Sequence, residues 1–156
     1  MKLYLVQHAQ ATSKDENPAR PLTEKGKSDS ARVAGFLKTR GVKPHAVWHS
    51  PKARAVETAG IFAKILSPEE GLLKKEGLLP NDPADKILAE VESSGKDIMI
   101  VGHMPFVDKI ASLALIRAEF PEIVFFEMGG VVAMEKRIGE KWKLVFMLIP
   151  ELVRGR

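Results

Sequence analysis

The stretch Asp97-Ile98-Met99-Ile100-Val101-Gly102-His103-Met104-Pro105 decides the fold that the rest of the chain can adopt. Its apolar run is short and bounded, as in a strand that is buried on both faces of a parallel sheet. Gly102 and Pro105 end the run, and apolar residues from Val107 to Leu115 then recur at helical spacing. A buried strand that leads directly into a helix predicts the βα unit of an α/β fold.

The same alternation runs through the first two thirds of the chain. Short apolar runs predict three more strands, at residues 3–6, 46–48 and 72–73. Capping residues and helical spacing predict three more helices. The first begins at the N-cap Thr23 and ends at Gly41, and the second begins at the N-cap Ser50, with Pro51 at the first helical position, and ends at Ser67. The third begins at Asp82-Pro83 and ends at Ser93. Strands that alternate with helices in this way predict a largely parallel sheet.

The last third of the chain predicts a β-meander. Its apolar runs at residues 123–127, 131–134 and 142–149 are separated by turns at Gly129-Gly130 and near Gly139, and the last run is predicted to contribute to the core. Added to the parallel strands, these runs predict an antiparallel or mixed edge. We therefore expect one domain over residues 1–156, a three-layer α/β/α sandwich with a mostly parallel sheet.

Composition excludes several classes of function. The chain has 156 residues and no cysteine, which excludes thiolate catalysis, iron–sulfur clusters and zinc held by cysteine. Its 24 basic and 20 acidic residues give a net charge of +4, which suits anionic ligands but falls short of a nucleic-acid-binding surface. No apolar run approaches the ~18 residues of a membrane span, and the N-terminal run is too short for a signal peptide. We expect a cytoplasmic protein with no nucleic-acid or membrane partner.

Polar side chains stand at the ends of three predicted strands. Gln7-His8, His49-Ser50 and Gly102-His103 each follow an apolar run. In open α/β sheets, ligands bind outside the carboxyl ends of the strands, so these residues are expected at one site. Arg54 lies just inside the helix after Ser50, where the helix N-terminus also favours an anion. Two imidazoles, an arginine and a helix N-terminus predict a pocket for phosphate.

Four motifs resemble, in order and spacing, those of the histidine phosphatase superfamily, and above all its small SixA-type phosphohistidine phosphatases. They are Val6-Gln7-His8-Ala9, Arg20-Pro21-Leu22-Thr23-Glu24-Lys25-Gly26, Ser50-Pro51-Lys52-Ala53-Arg54-Ala55-Val56-Glu57-Thr58-Ala59 and Val101-Gly102-His103-Met104-Pro105. The resemblance covers almost the whole chain. It implies a phosphoglycerate mutase-like fold and a phosphatase that works through phosphohistidine, without a metal or another cofactor.

The resemblance also implies a role for each matching residue. His8 matches the nucleophile that takes the phosphoryl group, Arg54 and His103 match the phosphate clamp, and Arg20 matches a basic residue on the bordering loop. A neutral imidazole is a competent nucleophile near pH 7, and a protonated His103 is expected to stabilise the transferring group together with Arg54. Gln7 is also assigned to the phosphate pocket, but it stands where the family usually has arginine. Ala9 likewise replaces a glycine.

Several interpretations stay open in the sequence. The general acid of larger family members has no convincing counterpart, and only Glu76 and Asp82 are candidates. The expected substrate is phosphohistidine on a signalling or phosphotransfer protein; a small phosphorylated molecule is the alternative, and so is a weakly active or non-catalytic phosphate-binding homologue, because of Gln7. Metal binding by His8 and His103 lacks a third ligand. Ser50 is interpreted as an N-cap, and His45 and His49 as ordinary histidines.

Overall fold

Residues 1–153 are described by a computed structural model, in which one six-stranded sheet has the order β3-β2-β4-β1-β5-β6. The elements in chain order are β1 (Lys2–Gln7), α1 (Glu24–Thr39), β2 (Ala46–His49), α2 (Ala53–Leu66), β3 (Leu72–Lys74), α3 (Asp85–Ser94), β4 (Ile98–Gly102), α4 (Phe106–Ile116), β5 (Val131–Glu135), β6 (Lys143–Leu148) and a 3₁₀ turn (Pro150–Leu152). Within this part of the chain, no helix has the length and apolar character needed to cross a membrane.

Strand β4 lies in the middle of the parallel part of the sheet. It pairs in parallel with β1 on one side and with β2 on the other, and Ile100 faces Leu5 in the first pairing and Trp48 in the second. All five of its residues are buried, as the apolar run predicts. Because β1, β2 and β4 run in the same direction, they all end at one edge of the sheet, which we call the carboxyl edge.

The helices form a layer on each face of the sheet. Alternate strand residues such as Leu5 and Ile100 share a core cluster with residues of α3 and α4, whereas their neighbours Val6 and Val101 share another with α1 and α2. Strands β5 and β6 pair antiparallel next to β1. The predicted three-layer α/β sandwich with an antiparallel edge is therefore confirmed.

The C-terminal third differs from the predicted meander. Residues 123–127 are extended but belong to no strand, so the antiparallel part has two strands among the described residues. The run at residues 142–149 is not a core stripe either: Trp142 is buried, but Leu144 and Val145 are more than half exposed. Strand β6 is the last strand of the sheet and pairs with β5 alone among the described residues, which leaves its side chains more exposed than those of the inner strands.

Two of the predicted helix starts are wrong, and one is confirmed. Thr23 caps α1, and its Oγ1 accepts a hydrogen bond from the Gly26 amide at 3.0 Å. Helix α2 has its N-cap at Lys52 and not at Ser50, because the Ser50 hydroxyl contacts a histidine instead. Helix α3 begins at Asp85, since the Asp82 carboxylate accepts from the Leu79 amide at 2.8 Å and closes a turn before the helix.

Helix α1 offers a matched pair of glycine substitutions. A Cβ on Gly26 would lie 2.1 Å from the carbonyl oxygen of Gln10, whereas a Cβ on Gly35 would meet no atom within 4 Å. We expect Gly26→Ala to lower the free energy of unfolding by about 1–3 kcal/mol through steric overlap. Gly35→Ala should raise it by about 0.5–1 kcal/mol. Urea unfolding of both variants measures these changes, and a Gly26→Ala protein as stable as wild type would contradict the close approach.

Candidate active site

Three residues that the sequence predicts for the site, His8, Arg54 and His103, meet at the carboxyl edge. His8 follows β1 and its amide donates to the Gly102 carbonyl at 2.9 Å, while the Ser50 amide donates to the Val101 carbonyl at 3.4 Å. These bonds extend the strand pairing by one residue and fix where the side chains leave the sheet. The rings of His8 and His103 consequently lie with their centroids 5.3 Å apart.

The contacts of His8 define which of its nitrogens carries the proton. Nδ1 lies 2.8 Å from the Ala9 carbonyl oxygen, to which it can only donate, and Nε2 accepts from Arg54 Nε at 3.3 Å. The buried ring is therefore neutral with its lone pair on Nε2. Burial, followed by the charges of Arg54 and Arg20, lowers the pKa of His8 to about 4, although the bond to Ala9 opposes the shift. Near pH 7, Nε2 is a nucleophile that faces an arginine.

His103 is held by Ser50 and keeps one nitrogen without a partner. Its Nε2 lies 2.5 Å from the fully buried Ser50 Oγ, which also accepts from the Lys52 amide at 3.4 Å. Because the described residues offer the Ser50 hydroxyl proton no other acceptor, we assign the hydroxyl as the donor to Nε2 and place the ring proton on Nδ1. Among the described residues, Nδ1 is buried with no hydrogen-bond partner. A buried donor of this kind is suited to an oxygen of an incoming ligand.

The sequence predicts a protonated His103 around the transferring phosphoryl group, and the protein without a bound anion differs from that state. Burial, followed by the neighbouring His8 and Arg54, lowers the pKa of His103 to about 3. Both imidazoles are therefore neutral near pH 7. The positive charge of the site comes from Arg54 and Arg20, and Lys52 adds to the charge that His103 experiences.

Arg54 stands where the field of helix α2 already favours an anion. It is the second residue of the helix, and burial and the charge of Arg20 lower its pKa. The N-cap residues of α2 and α4, Lys52 and Pro105, make no side-chain capping bond. Because both helices begin at the carboxyl edge, their N-terminal amides and dipoles add to the attraction for an anion.

Thr58 is a candidate positioning residue that the sequence interpretation missed. Its fully buried Oγ1 accepts from the Ala9 amide at 3.0 Å and donates to the Arg54 carbonyl at 2.7 Å. It thus connects the backbone beside the nucleophile to the helix that carries the arginine. Thr58 lies in the same motif as Arg54, one helical turn later, and this spacing was the signal available in the sequence.

The loop that follows β1 brings Arg20 to the site. Arg20 adopts φ of +50°, which is rare for a residue other than glycine, and its Nε donates to the Thr12 carbonyl at 3.2 Å. The loop is closed by the Thr12 amide, which donates to the Pro21 carbonyl, and by Glu57, whose carboxylate accepts from the Leu22 amide at 2.8 Å. Arg20 is close enough to lower the pKa of both histidines.

The two departures from the family motif are accommodated differently. Gln7 is half-buried at the end of β1, level with Gly102, and its carbonyl accepts from the Gly129 amide at 2.9 Å. Ala9 is fully buried and does not have a positive φ, so the backbone there does not require glycine. Its Cβ would lie 3.5 Å from a Cβ on Gly129, which is ordinary contact. Only Gln7 therefore changes the chemistry of the site.

The remaining candidates make other contacts. Glu76 is exposed, and the Asp82 carboxylate is used in the turn before α3. His49 is buried and its Nδ1 donates to the Ser50 carbonyl, while His45 pairs with Glu69. Over residues 1–153, none of these four side chains makes a hydrogen bond to His8, Arg54 or His103, and no three histidine or acidic side chains come together as a metal site.

Comparisons with known proteins concern the family and the fold of the chain. Residues 3–77 match the model of the histidine phosphatase superfamily, branch 1, whereas a comparison with curated proteins gives no match. The fold is similar to that of the protein histidine phosphatase SixA complexed with tungstate, with a TM-score of 0.87, 18% identity, and 99% of this chain and 100% of that chain covered.

Two other similar structures are enzymes with different substrates. Phosphoserine phosphatase from Entamoeba histolytica, in complex with 3-phosphoglyceric acid, has a TM-score of 0.68 and 18% identity, with 94% of this chain and 96% of that chain covered. The mycobacterial glucosyl-3-phosphoglycerate phosphatase has a TM-score of 0.70 and 12% identity, with 92% and 96% covered. The matched residues contain His8, Arg20 and Arg54, and the resemblance to the histidine phosphatase superfamily that was drawn from the motifs is confirmed.

Proposed function

We propose that this protein is a phosphatase that removes the phosphoryl group from phosphohistidine on another protein, through a covalent intermediate at His8. The observation that carries the proposal is the protonation of His8: the Nδ1 proton is given to the Ala9 carbonyl, and the Nε2 lone pair faces Arg54. A neutral, fixed imidazole beside a cation is arranged to attack phosphorus.

In the first step, Nε2 of His8 exchanges its hydrogen bond from Arg54 for a bond to phosphorus, as the bond from phosphorus to the substrate imidazole breaks. The substrate histidine takes up a proton from solvent and leaves as a neutral ring. In the second step, water attacks phosphorus, the bond to His8 Nε2 breaks, and inorganic phosphate leaves while the proton lost by the water returns to solvent. One demanding hydrolysis thereby becomes two easier displacements.

The cations and donors around His8 would stabilise the transferring group. Its charge is spread over three equatorial oxygens, and Arg54, Arg20 and the amides at the start of α2 lie on the side from which His8 is approached. The unpartnered Nδ1 proton of His103 can bind one of those oxygens. When a dianionic phosphate is bound, its charge favours the protonated form of that imidazole, which would strengthen the bond.

The leaving group's need for a general acid favours phosphohistidine over a phosphate ester as the substrate. An alkoxide is a poor leaving group and needs a general acid, whereas an imidazole is a much better one. Neither carboxylate suggested by the sequence, Glu76 or Asp82, contacts the two histidines or Arg54 within residues 1–153. The structural likeness to SixA, at 18% identity, is consistent with this choice.

A small-molecule phosphomonoesterase is the second candidate. The fold is shared with phosphatases that are named for phosphoserine and for glucosyl-3-phosphoglycerate, so the fold does not select the substrate. Replacement of the usual arginine by Gln7 also favours a weakly active, phosphate-binding homologue. The following experiments distinguish these candidates.

Replacing the nucleophile tests the proposal directly. We expect wild type to release phosphate from a phosphohistidine-bearing domain faster than from p-nitrophenyl phosphate, and His8→Asn to lose at least about a thousandfold in kcat. Brief reaction with ³²P-labelled substrate should leave an acid-labile, base-stable label on wild type only. His45→Asn is the matched control, because His45 lies at the opposite end of β2, and it should behave as wild type. Equal phosphate release by wild type and His8→Asn would contradict the proposal.

Restoring the family's arginine should increase activity. Charge-assisted hydrogen bonds are worth about 1.5–3 kcal/mol and neutral ones about 1, so Gln7→Arg is expected to increase kcat/KM by about tenfold. Gln7→Lys adds the charge without the two parallel donors and should give a smaller increase. Steady-state kinetics on one substrate compare the three proteins. Unchanged or lower activity of Gln7→Arg would show that the pocket is built around the amide.

The low pKa values of the two imidazoles predict an unusual titration. His8 should titrate near pH 4 and His103 near pH 3, well below the ordinary 6.5 of histidine. Because the folded protein then binds fewer protons than the unfolded chain, its free energy of unfolding should fall as pH is lowered from about 6.5 to about 4. Histidine C2–H resonances followed by NMR measure the titration, and His8→Asn and His103→Asn assign the signals. Midpoints near 6.5 would contradict the burial of both rings.

A further inference from the structure

A segment before β5 that belongs to no strand exposes apolar side chains and leads to Gly129, which contacts Gln7 and Ala9. Along residues 123–126, Val124 and Phe126 pack into the core next to α3 and α4, whereas the alternate residues Ile123 and Phe125 point away from it. Phe125 is 76% exposed, and Ile123 and Met128 are 43% and 44% exposed. We call Ile123, Phe125 and Met128 the docking strip.

The docking strip is held in place at several points. Before it, the Ser112 hydroxyl on α4 donates to the Pro121 carbonyl at 3.2 Å. After it, the Gly129 amide donates to the Gln7 carbonyl at 2.9 Å. Phe126, between the two ends, is buried. The outward direction of Phe125 is therefore fixed by the core contact of its neighbour, and its exposure is a property of the folded surface.

The strip continues directly into the site. Gly129 lies against Ala9, the residue after the nucleophile, and Met128 precedes Gly129 in the chain. Met128 also lines an open groove of about 680 Å³, together with Gln10, Lys25 and Arg32. Gln10 is two residues after His8 in the chain, so the groove borders both the loop that follows the nucleophile and the end of the docking strip. The groove is large for a single phosphate group, and the strip adds apolar surface beside it.

We propose that the docking strip binds an apolar surface that surrounds the phosphohistidine on the substrate protein. The inference rests on the proposed function. A small phosphorylated metabolite is strongly polar and has little apolar surface to bury against an exposed phenylalanine. Aromatic and methionine side chains, in contrast, are enriched in protein interfaces. The arginines take the phosphoryl group, and the strip beside them takes the protein that carries it.

The test compares a protein substrate with a small one. Phe125→Ser and Met128→Ser are assayed on a histidine-containing phosphotransfer domain, phosphorylated with phosphoramidate, and on free phosphohistidine. We expect kcat/KM to fall at least about tenfold for the domain and by less than about twofold for free phosphohistidine. Ile138→Ser is the matched control: Ile138 is fully exposed in the β5–β6 turn, at the opposite edge of the sheet, and should change neither rate.

Binding gives a second measurement that does not depend on turnover. Phosphorylated domain should bind His8→Asn more tightly than it binds the double variant His8→Asn/Phe125→Ser, again by about tenfold. Equal effects on both substrates, or no effect on either rate or on binding, would overturn the docking strip while leaving the proposed function intact. Self-association of wild type that Phe125→Ser abolishes would also overturn it, since the strip would then join two copies of the chain. Wild type that hydrolyses only phosphate esters would overturn the proposed function and this inference with it.

Discussion

The parallel pairing of β4 with both β1 and β2 is the constraint on which the site depends. It places the ends of three strands side by side, and the amides of His8 and Ser50 continue the pairing beyond the strands. The side chains that follow therefore meet without any loop having to fold over them. Helix α2 begins three residues after Ser50 and delivers Arg54 to the same place. A shift of one residue in this register would turn His8 to the other face of the sheet.

Burial then decides how the two imidazoles work. Removing a histidine from water disfavours its charged form, and nearby arginines disfavour it further, so His8 and His103 are both neutral in the ligand-free protein. In the proposed mechanism a neutral His8 is the nucleophile, and Arg54, Arg20 and two helix N-termini attract phosphate before it binds. An uncharged Gln7, where histidine phosphatases usually have arginine, matters for the same reason, because neither histidine carries a charge before phosphate binds.

The sequence predicted the fold and the position of the candidate site residues at one edge of the sheet, but not the contacts that these residues make. Buried strands, caps and the order of the motifs are local signals, and they located His8, Arg54 and His103 correctly at one edge. Ser50 has the residue type of an N-cap, but a buried imidazole from another strand is a competing acceptor for its hydroxyl. Residues 123–127 alternate like a strand and yet pair with no strand within residues 1–153. Both outcomes depend on residues distant in sequence, as do the role of Thr58 and the tautomer of His8.

The most direct test of the central claim is a crystal structure with vanadate, which mimics a phosphoryl group in transfer. The account predicts a bond from vanadium to Nε2 of His8, with the vanadate oxygens contacted by the Arg54 guanidinium and by Nδ1 of His103. It also predicts that the Ser50 and Ala9 contacts of the two rings stay as they are in the ligand-free protein. Vanadate bound away from His8, or bound through Nδ1 of His8, would contradict it.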